Sequence, residues 1–350
     1  MINKISSCLV VFVMSVAPVG CENEKNTLRI GSKNFAESMV LAEMIAQLAE
    51  NEGISVERNI PFGNTREIME ATKQDVLDIY PEYNGTGLIF LGQAPISNGD
   101  ESTAKVQELF GPLGLEWKAR FGFSNDYAIV MTPERAEELG VSSIGDLANT
   151  DSPVNFAVDE DFSTRAADGL RPMARHYGLT TGDAQVFPGG SEGKDKIVSA
   201  LLDGSADVAE LFVTDGQIAE YDLVVLQDDQ KFFPVYEPAP LVRSEALKKI
   251  PNLGSVLDKL SGAISAQDMQ VMNKSVDLDA QSPASVATAF LASKGLLPED
   301  AAESAVEKLA VAAGPGIGRS SETAKALRAI RAGFPGNDLE SINTPDPLQA

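Results

Sequence analysis

Between residues 27 and 226 the chain alternates short apolar runs of strand length with longer runs of helical period, a pattern that argues for an α/β fold. Residues 27–30, 55–60 and 78–80 read as strands. Residues 35–50 read as a helix whose apolar stripe is Val40, Met44, Ile45 and Leu48. Asn64 can cap a second helix, and Ser102 a third that runs to Phe110, where Gly111-Pro112 stops it. Residues 117–131 have extended character interrupted at Asn125-Asp126, and Thr132-Pro133-Glu134 starts a helix that Gly140 ends. A second series follows: strand 155–158, helix 163–177, strand 185–187, helix 192–202, strand 207–211, a short helix from Thr214 and strand 223–226. The proline- and aromatic-rich stretch 232–240 reads as a return crossing. Beyond Ser244 the chain is almost wholly helical, with a break at Gly314-Pro315-Gly316 and a loose tail at 337–350.

With 350 residues, 43% of them hydrophobic, the chain is long enough for one large or two ordinary domains with true cores. Residues 1–21 form a separate unit: Lys4, then an apolar run at 8–19 too short to span a membrane, then Gly20-Cys21 at a processing point. This is a signal peptide, so the mature protein is expected outside the cytoplasm. Cys21 is placed to carry a lipid, although Pro18 stands where a leucine is usual. No cysteine follows it, which excludes disulfides and thiolate chemistry from the mature chain. The single histidine, His176, leaves no basis for a zinc site or a histidine triad. A net charge of −23 is the opposite of what a nucleic-acid binder carries, and it favours the approach of cations. Gly189-Gly190-Ser191-Glu192-Gly193-Lys194 lacks the spacing of a phosphate loop, and Asp159, Glu160 and Asp161 read as solvated loop acids rather than an acid/base pair. No enzyme, cofactor or metal is expected.

The densest stretch is Asp78-Ile79-Tyr80-Pro81-Glu82-Tyr83-Asn84-Gly85-Thr86-Gly87. Pro81 should end the strand before it, and the glycines should make a rigid turn that presents Tyr83 and Thr86. A ring face attracts a cation and a hydroxyl orients an anion. A surface turn whose tyrosines pad the core is the competing reading. Further polar or aromatic loops recur at strand ends: Ser32-Lys33-Asn34, Asn125-Asp126-Tyr127, residues 162–165, 211–215 and Tyr236. In an open α/β sheet, ligands bind at the carboxyl ends of strands, so this is the pattern of a two-lobed binding protein.

Gly31-Ser32-Lys33-Asn34-Phe35-Ala36-Glu37, together with the tyrosine stretch, Asp126-Tyr127-Ala128-Ile129-Val130, Thr214-Asp215-Gly216-Gln217-Ile218 and Lys231-Phe232-Phe233-Pro234, resembles the glycine betaine/carnitine/choline substrate-binding proteins of osmoprotectant ABC transporters. The likeness covers about residues 28–297. It implies a two-lobed type II periplasmic-binding-protein fold with an inter-lobe cleft. The first lobe would comprise 27–129 and 237–312, the second 130–236, and 313–350 would be a C-terminal helical extension and tail. It also implies an aromatic cage for a quaternary ammonium, at positions Tyr83, Tyr127, Phe212 and Tyr236, and a carboxylate grip at Lys33, Thr86 and Arg165. Such a protein would act as a monomer and hand its ligand to permease subunits in the membrane. Phe212 stands where the family usually has tyrosine, Asn84 replaces a common threonine, and Arg165 is one residue further from Asp168 than the pattern expects. Glu210 either favours a cation directly or faces the lobe surface. A receptor for another small zwitterion, such as an amino acid, and a ligand-sensing domain without transport are the alternatives.

Overall fold

Two five-stranded sheets, not one, come out of the alternation. The computed structural model describes residues 27–165, 168–188 and 191–298. The leader with Cys21, the Gly189-Gly190 pair, the helices expected beyond Pro298 and the 313–350 extension lie outside them. The chain opens with β1 (Leu28–Lys33), α1 (Ala36–Asn51), β2 (Val56–Gly63), α2 (Thr65–Lys73), β3 (Ile79–Tyr83), α3 (Asn84–Phe90), α4 (Gly99–Phe110) and β4 (Leu115–Trp117). After residues 118–126 come β5 (Tyr127–Met131), α5 (Pro133–Leu139), β6 (Val154–Asp159), α6 (Glu160–Thr164), α7 (Leu170–Tyr177), β7 (Thr181–Phe187), α8 (Ser191–Leu202), β8 (Val208–Phe212), α9 (Gly216–Glu220) and β9 (Val224–Val225). A second crossing leads to β10 (Pro238–Arg243), then α10 (Ser244–Lys249), α11 (Leu253–Asp258), α12 (Ala266–Asp277) and α13 (Pro283–Ser293).

The sheet orders are β2-β1-β3-β10-β4 and β7-β6-β8-β5-β9. Each has a parallel core and an antiparallel side, with β10 reversed against β3 and β5 reversed against β8. All of β5 belongs to the second sheet, from Tyr127 opposite Phe212 to Val130 opposite Ala209. The change of sheet therefore falls before Tyr127, and a boundary after residue 129 would cut a paired strand.

Local chemistry explains most element ends. The Asn64 side chain accepts from the amides of Arg66 and Glu67 while the Glu67 carboxylate accepts from the Asn64 amide, a reciprocal cap on α2. Thr132 caps α5, and Gly140 ends it in the left-handed region. Three expectations need correction. The cap of α4 is Asn98, which accepts from Asp100 and Glu101, while Ser102 is buried within the helix. The helix expected at 163–177 is two helices, because the backbone turns extended at Arg165, with ψ 129°, and again at Gly169, which precedes the second helix. And β3 runs through Pro81. Its partner across the ladder is Pro240, whose carbonyl accepts from Lys118 on the far side, so neither proline nitrogen has to donate between these two strands.

The helix α1 was expected to bury one stripe, yet Leu41, Ala42, Ala46 and Ala49 are as buried as the stripe itself. The reason is that the helices of the returning chain, including Leu253, Met269 and Phe290, close over the side away from the sheet. Its polar residues are paired to match: Gln47 donates to the Ala284 carbonyl at 2.9 Å and accepts from Thr288 at 2.8 Å. The other core of the first sheet holds Trp117, edge-on to Phe110 at 5.5 Å. Gly87 makes room for it, since a Cβ at that position would sit 2.7 Å from the indole.

The helices α12 and α9 meet with almost no clearance: a Cβ on Gly216 would lie 2.5 Å from the Lys274 backbone nitrogen. Gly216→Ala is expected to cost about 1–3 kcal/mol through overpacking against backbone. Gly254→Ala, whose Cβ would meet nothing within 4 Å, should be neutral or stabilising by up to about 1 kcal/mol. Urea denaturation of both variants checks the pair.

Candidate functional site

The carboxyl ends of β1, β3 and β8 and the amino ends of the reversed strands β5 and β10 lie at one edge of their sheets. Tyr83 pairs with Pro238 at that edge of the first sheet, and Tyr127 with Phe212 at that edge of the second. A cavity of about 340 Å³ opens there, lined by all seven residues singled out from the sequence: Lys33, Tyr83, Thr86 and Tyr236, with Tyr127, Arg165 and Phe212. That volume suits a small molecule.

Tyr83 and Thr86 do not sit on a glycine turn, as expected, but at the junction of β3 and α3. Gly85 serves a different purpose from the one the sequence suggests. A Cβ there would lie 2.7 Å from the Tyr236 ring and 2.7 Å from the Val235 carbonyl oxygen, so only glycine lets that ring lie against α3. The Tyr236 backbone is fixed from the other side. Its amide donates to the Asp126 carboxylate at 2.7 Å, and its carbonyl accepts from the Asn125 amide at 3.0 Å. Burial pushes Asp126 up to about 6, against hydrogen bonds from Ser124 and Tyr236 that favour its charged form.

On the second sheet, Tyr127 and Phe212 stack at 5.0 Å with 23° between ring planes, backed by Phe162 at 4.9 Å and Phe233 at 5.8 Å. On the first sheet, Phe35 leans on Tyr83 at 6.1 Å. Phe35, Thr65, Ile89, Asn125 and Asp161 also line the cavity and were not foreseen as site residues. Phe35 had a signal: it is a large apolar side chain in the Gly31–Glu37 motif that takes the helix N-cap position without capping, and it is 40% exposed.

Each cation near the rings has a carboxylate of its own. Lys33 Nζ lies 2.5 Å from Glu82 Oε1, and Glu82 is fully buried and also accepts from the Tyr80 hydroxyl and the Tyr83 amide. Arg165 gives Nε and Nη2 to the two oxygens of Asp168, both at 2.7 Å. Lys194, weighed in the sequence only as the end of a would-be phosphate loop, lies 2.5 Å from Asp215. The same three cations stand over rings: Lys33 over Tyr83 at 5.0 Å, Arg165 over Tyr127 at 5.4 Å and Lys194 over Phe212 at 5.2 Å.

Glu210 resolves one open alternative. It is 2% exposed and shares a face of β8 with Phe212, so it does not face the lobe surface. Its carboxylate accepts from the Asp159 amide at 3.2 Å. Burial, reinforced by the Asp159 carboxylate, pushes it up to about 8.

Comparison with known proteins gives a consistent picture. A family model described as the substrate binding domain of ABC-type glycine betaine transport systems matches residues 26–293. A glycine-betaine-binding protein of Pseudomonas aeruginosa is 33% identical over 288 residues, covering 79% of this chain and 90% of the relative. A carnitine transport binding protein of Listeria monocytogenes is 30% identical over 273 residues, covering 77% and 87%. A solved structure described as a glycine betaine/carnitine/choline ABC transporter superposes with a TM-score of 0.71 at 29% identity, covering 76% of this chain and 97% of that one. The fold is that of the two-lobed binding proteins among these structures.

Because Glu210 holds its proton to about pH 8 when folded but gives it up in the ordinary carboxylate range when unfolded, it lowers stability as pH rises between those limits. Glu210→Gln should remove that slope. The stability advantage of the variant over the parent should grow from pH 5 to pH 8, reach about a few kcal/mol and then level off. Denaturation curves of both proteins at pH 5, 7 and 9 test this.

Proposed function

This chain belongs to the family of substrate-binding domains of ABC-type glycine betaine transport systems, and from that premise we propose that it captures a quaternary-ammonium osmolyte in the cavity between its two sheets and delivers it to a membrane permease. It is a binding protein, not an enzyme. The observation that carries the ligand class is that Tyr83, Tyr127, Phe212 and Tyr236, drawn from both sheets and a crossing, line one cavity of about 340 Å³. A quaternary ammonium has no proton to donate, so ring faces select it, each contributing about 0.5–2 kcal/mol according to how dry the site is.

Lys33, Thr86 and Arg165 supply the other end of a zwitterion such as glycine betaine. Lys33 and Arg165 would share themselves between ligand and internal carboxylate, because a bare Glu82 or Asp168 would be costly to leave behind. For the same reason choline, which needs no anion grip, stays within the proposed range alongside carnitine. Residues 27–126 and 237–298 form one lobe in this reading and 127–236 the other, and the ligand favours the closed arrangement through contacts it makes preferentially there. Export by residues 1–21, a lipid on Cys21, a periplasmic or membrane-tethered location and action as a monomer complete the proposal. Asp161 gives an amino-acid ligand one specific point in its favour, since an α-ammonium group needs an acceptor at the cavity wall.

Isothermal titration of residues 22–350 with glycine betaine, choline, carnitine, proline betaine and proline decides between these ligands. We expect one quaternary ammonium to bind, Tyr83→Ala to abolish measurable heat, and Gly85→Ala to weaken binding about tenfold by displacing Tyr236. Binding of proline alone would replace the cage reading with an amino-acid receptor.

A further inference from the structure

Glu37 stands in the first turn of α1 and is 2% exposed. Burial raises its carboxyl, with hydrogen bonds from Thr214, Tyr83 and Asn273 opposing. Side chains from separate parts of the chain converge on it. The Tyr83 hydroxyl donates to Oε1 at 2.6 Å, Asn125 Nδ2 donates to the same oxygen at 3.2 Å, and Asn273 Nδ2 donates to Oε2 at 3.3 Å. Asn273 also donates to the Thr214 carbonyl at 2.8 Å, and Gln270, a turn earlier on α12, donates to the Val213 carbonyl at 2.7 Å. One carboxyl therefore joins a cavity ring, a crossing segment and the helix that holds the start of α9.

A second observation singles this carboxyl out. The amide oxygens of Asn125 and Asn273 are both buried and neither has a hydrogen-bond partner among the described residues. Orphaning a buried acceptor is costly. The Asn125 amide is oriented so that its N–H groups serve Glu37, and the Asn273 amide so that its N–H groups serve Glu37 and the Thr214 carbonyl, both at the expense of their own oxygens, and Glu37 is the partner the two share.

We propose that Glu37 is a positioning residue for the binding cavity: by accepting the Tyr83 hydroxyl it holds that ring in place at the cavity wall, and through Asn273 it ties the ring to the α12–α9 contact. The inference deepens the proposed function and rests on it, since Tyr83 matters here as a wall of the ligand site. A phenol whose hydroxyl is held at 2.6 Å cannot swing out of the cavity wall about χ1 without leaving a buried donor unpaired.

Calorimetric titrations with glycine betaine and choline, on the parent, Glu37→Gln, Glu37→Leu, Tyr83→Phe and the Tyr83→Phe/Glu37→Leu double variant, test the proposal together with their thermal midpoints. Glutamine keeps an acceptor for Tyr83, so Glu37→Gln should bind within about threefold of the parent. Glu37→Leu and Tyr83→Phe should each bind about tenfold more weakly, and the double variant no more weakly than the worse single one, because both remove the same bond. Fully additive losses would overturn the proposal, as would a Glu37→Leu protein that melts earlier but binds normally. Should Glu37→Leu fail to fold, parent-like affinity in Tyr83→Phe overturns it alone. A parent that binds neither probe sinks the proposed ligand class and this inference with it, whereas a binding parent with unaffected variants sinks only the inference.

Discussion

The hydrogen bond from the Tyr236 amide to the Asp126 carboxylate, 2.7 Å long, joins the two crossing segments that link the halves of the molecule. Among the described residues two stretches of chain pass between the sheets, and here they run side by side, with the Asn125 amide returning a bond to the Tyr236 carbonyl. The Val213 amide donates to the Asp126 carbonyl, so the end of β8 is referred to the same point. A bond to a carboxylate in a half-buried place is short, directional and hard to replace by water. The rings of the cavity take their places from it: Tyr236 directly, Tyr127 as the next residue along and Phe212 through the adjoining backbone. Gly85 then decides how closely the Tyr236 ring approaches the first sheet.

Charge around the cavity is arranged so that the acids outnumber the cations. Lys33, Arg165 and Lys194 are each matched by a carboxylate at hydrogen-bonding distance. Glu37, Glu210 and Asp126 are left over, with burial raising all three. Glu210 keeps its proton to about pH 8, so near neutrality the negative potential that is added to the ring faces and draws a positive group comes from Asp126. The two lysines and the arginine over the rings show the same attraction operating within the protein.

What the sequence disclosed was what depends on neighbours in the chain. The caps at Asn64 and Thr132 and the left-handed Gly140 are local chemistry, and the strand–helix order follows from period. The cavity residues were legible because each sits in a short motif at a strand end. Their partners were not. Glu37 and Tyr83 are 46 positions apart, and no pattern in either segment announces the other. Pro81 was misread because a proline's fitness for a strand depends on which side of the ladder its nitrogen faces, and that is set by Pro240, 159 residues later in the numbering. The all-round burial of α1 was invisible for the same reason: the helices that cover it come from the other end of the described chain. Glu82 was within sight, one residue from Tyr83, but its pairing with Lys33 needs the β1–β3 neighbourhood to exist first.

The packing of Trp117 has an optical corollary. It is the only tryptophan in the sequence, it is 5% exposed, and it lies between Phe110 and Gly87 in the core of the first sheet, its indole N–H without a partner among the described residues. Its emission is therefore a reporter confined to one half of the molecule, blue-shifted while that core is intact and blind to events in the other sheet. The protein carries its own lamp, and the lamp lights only one room.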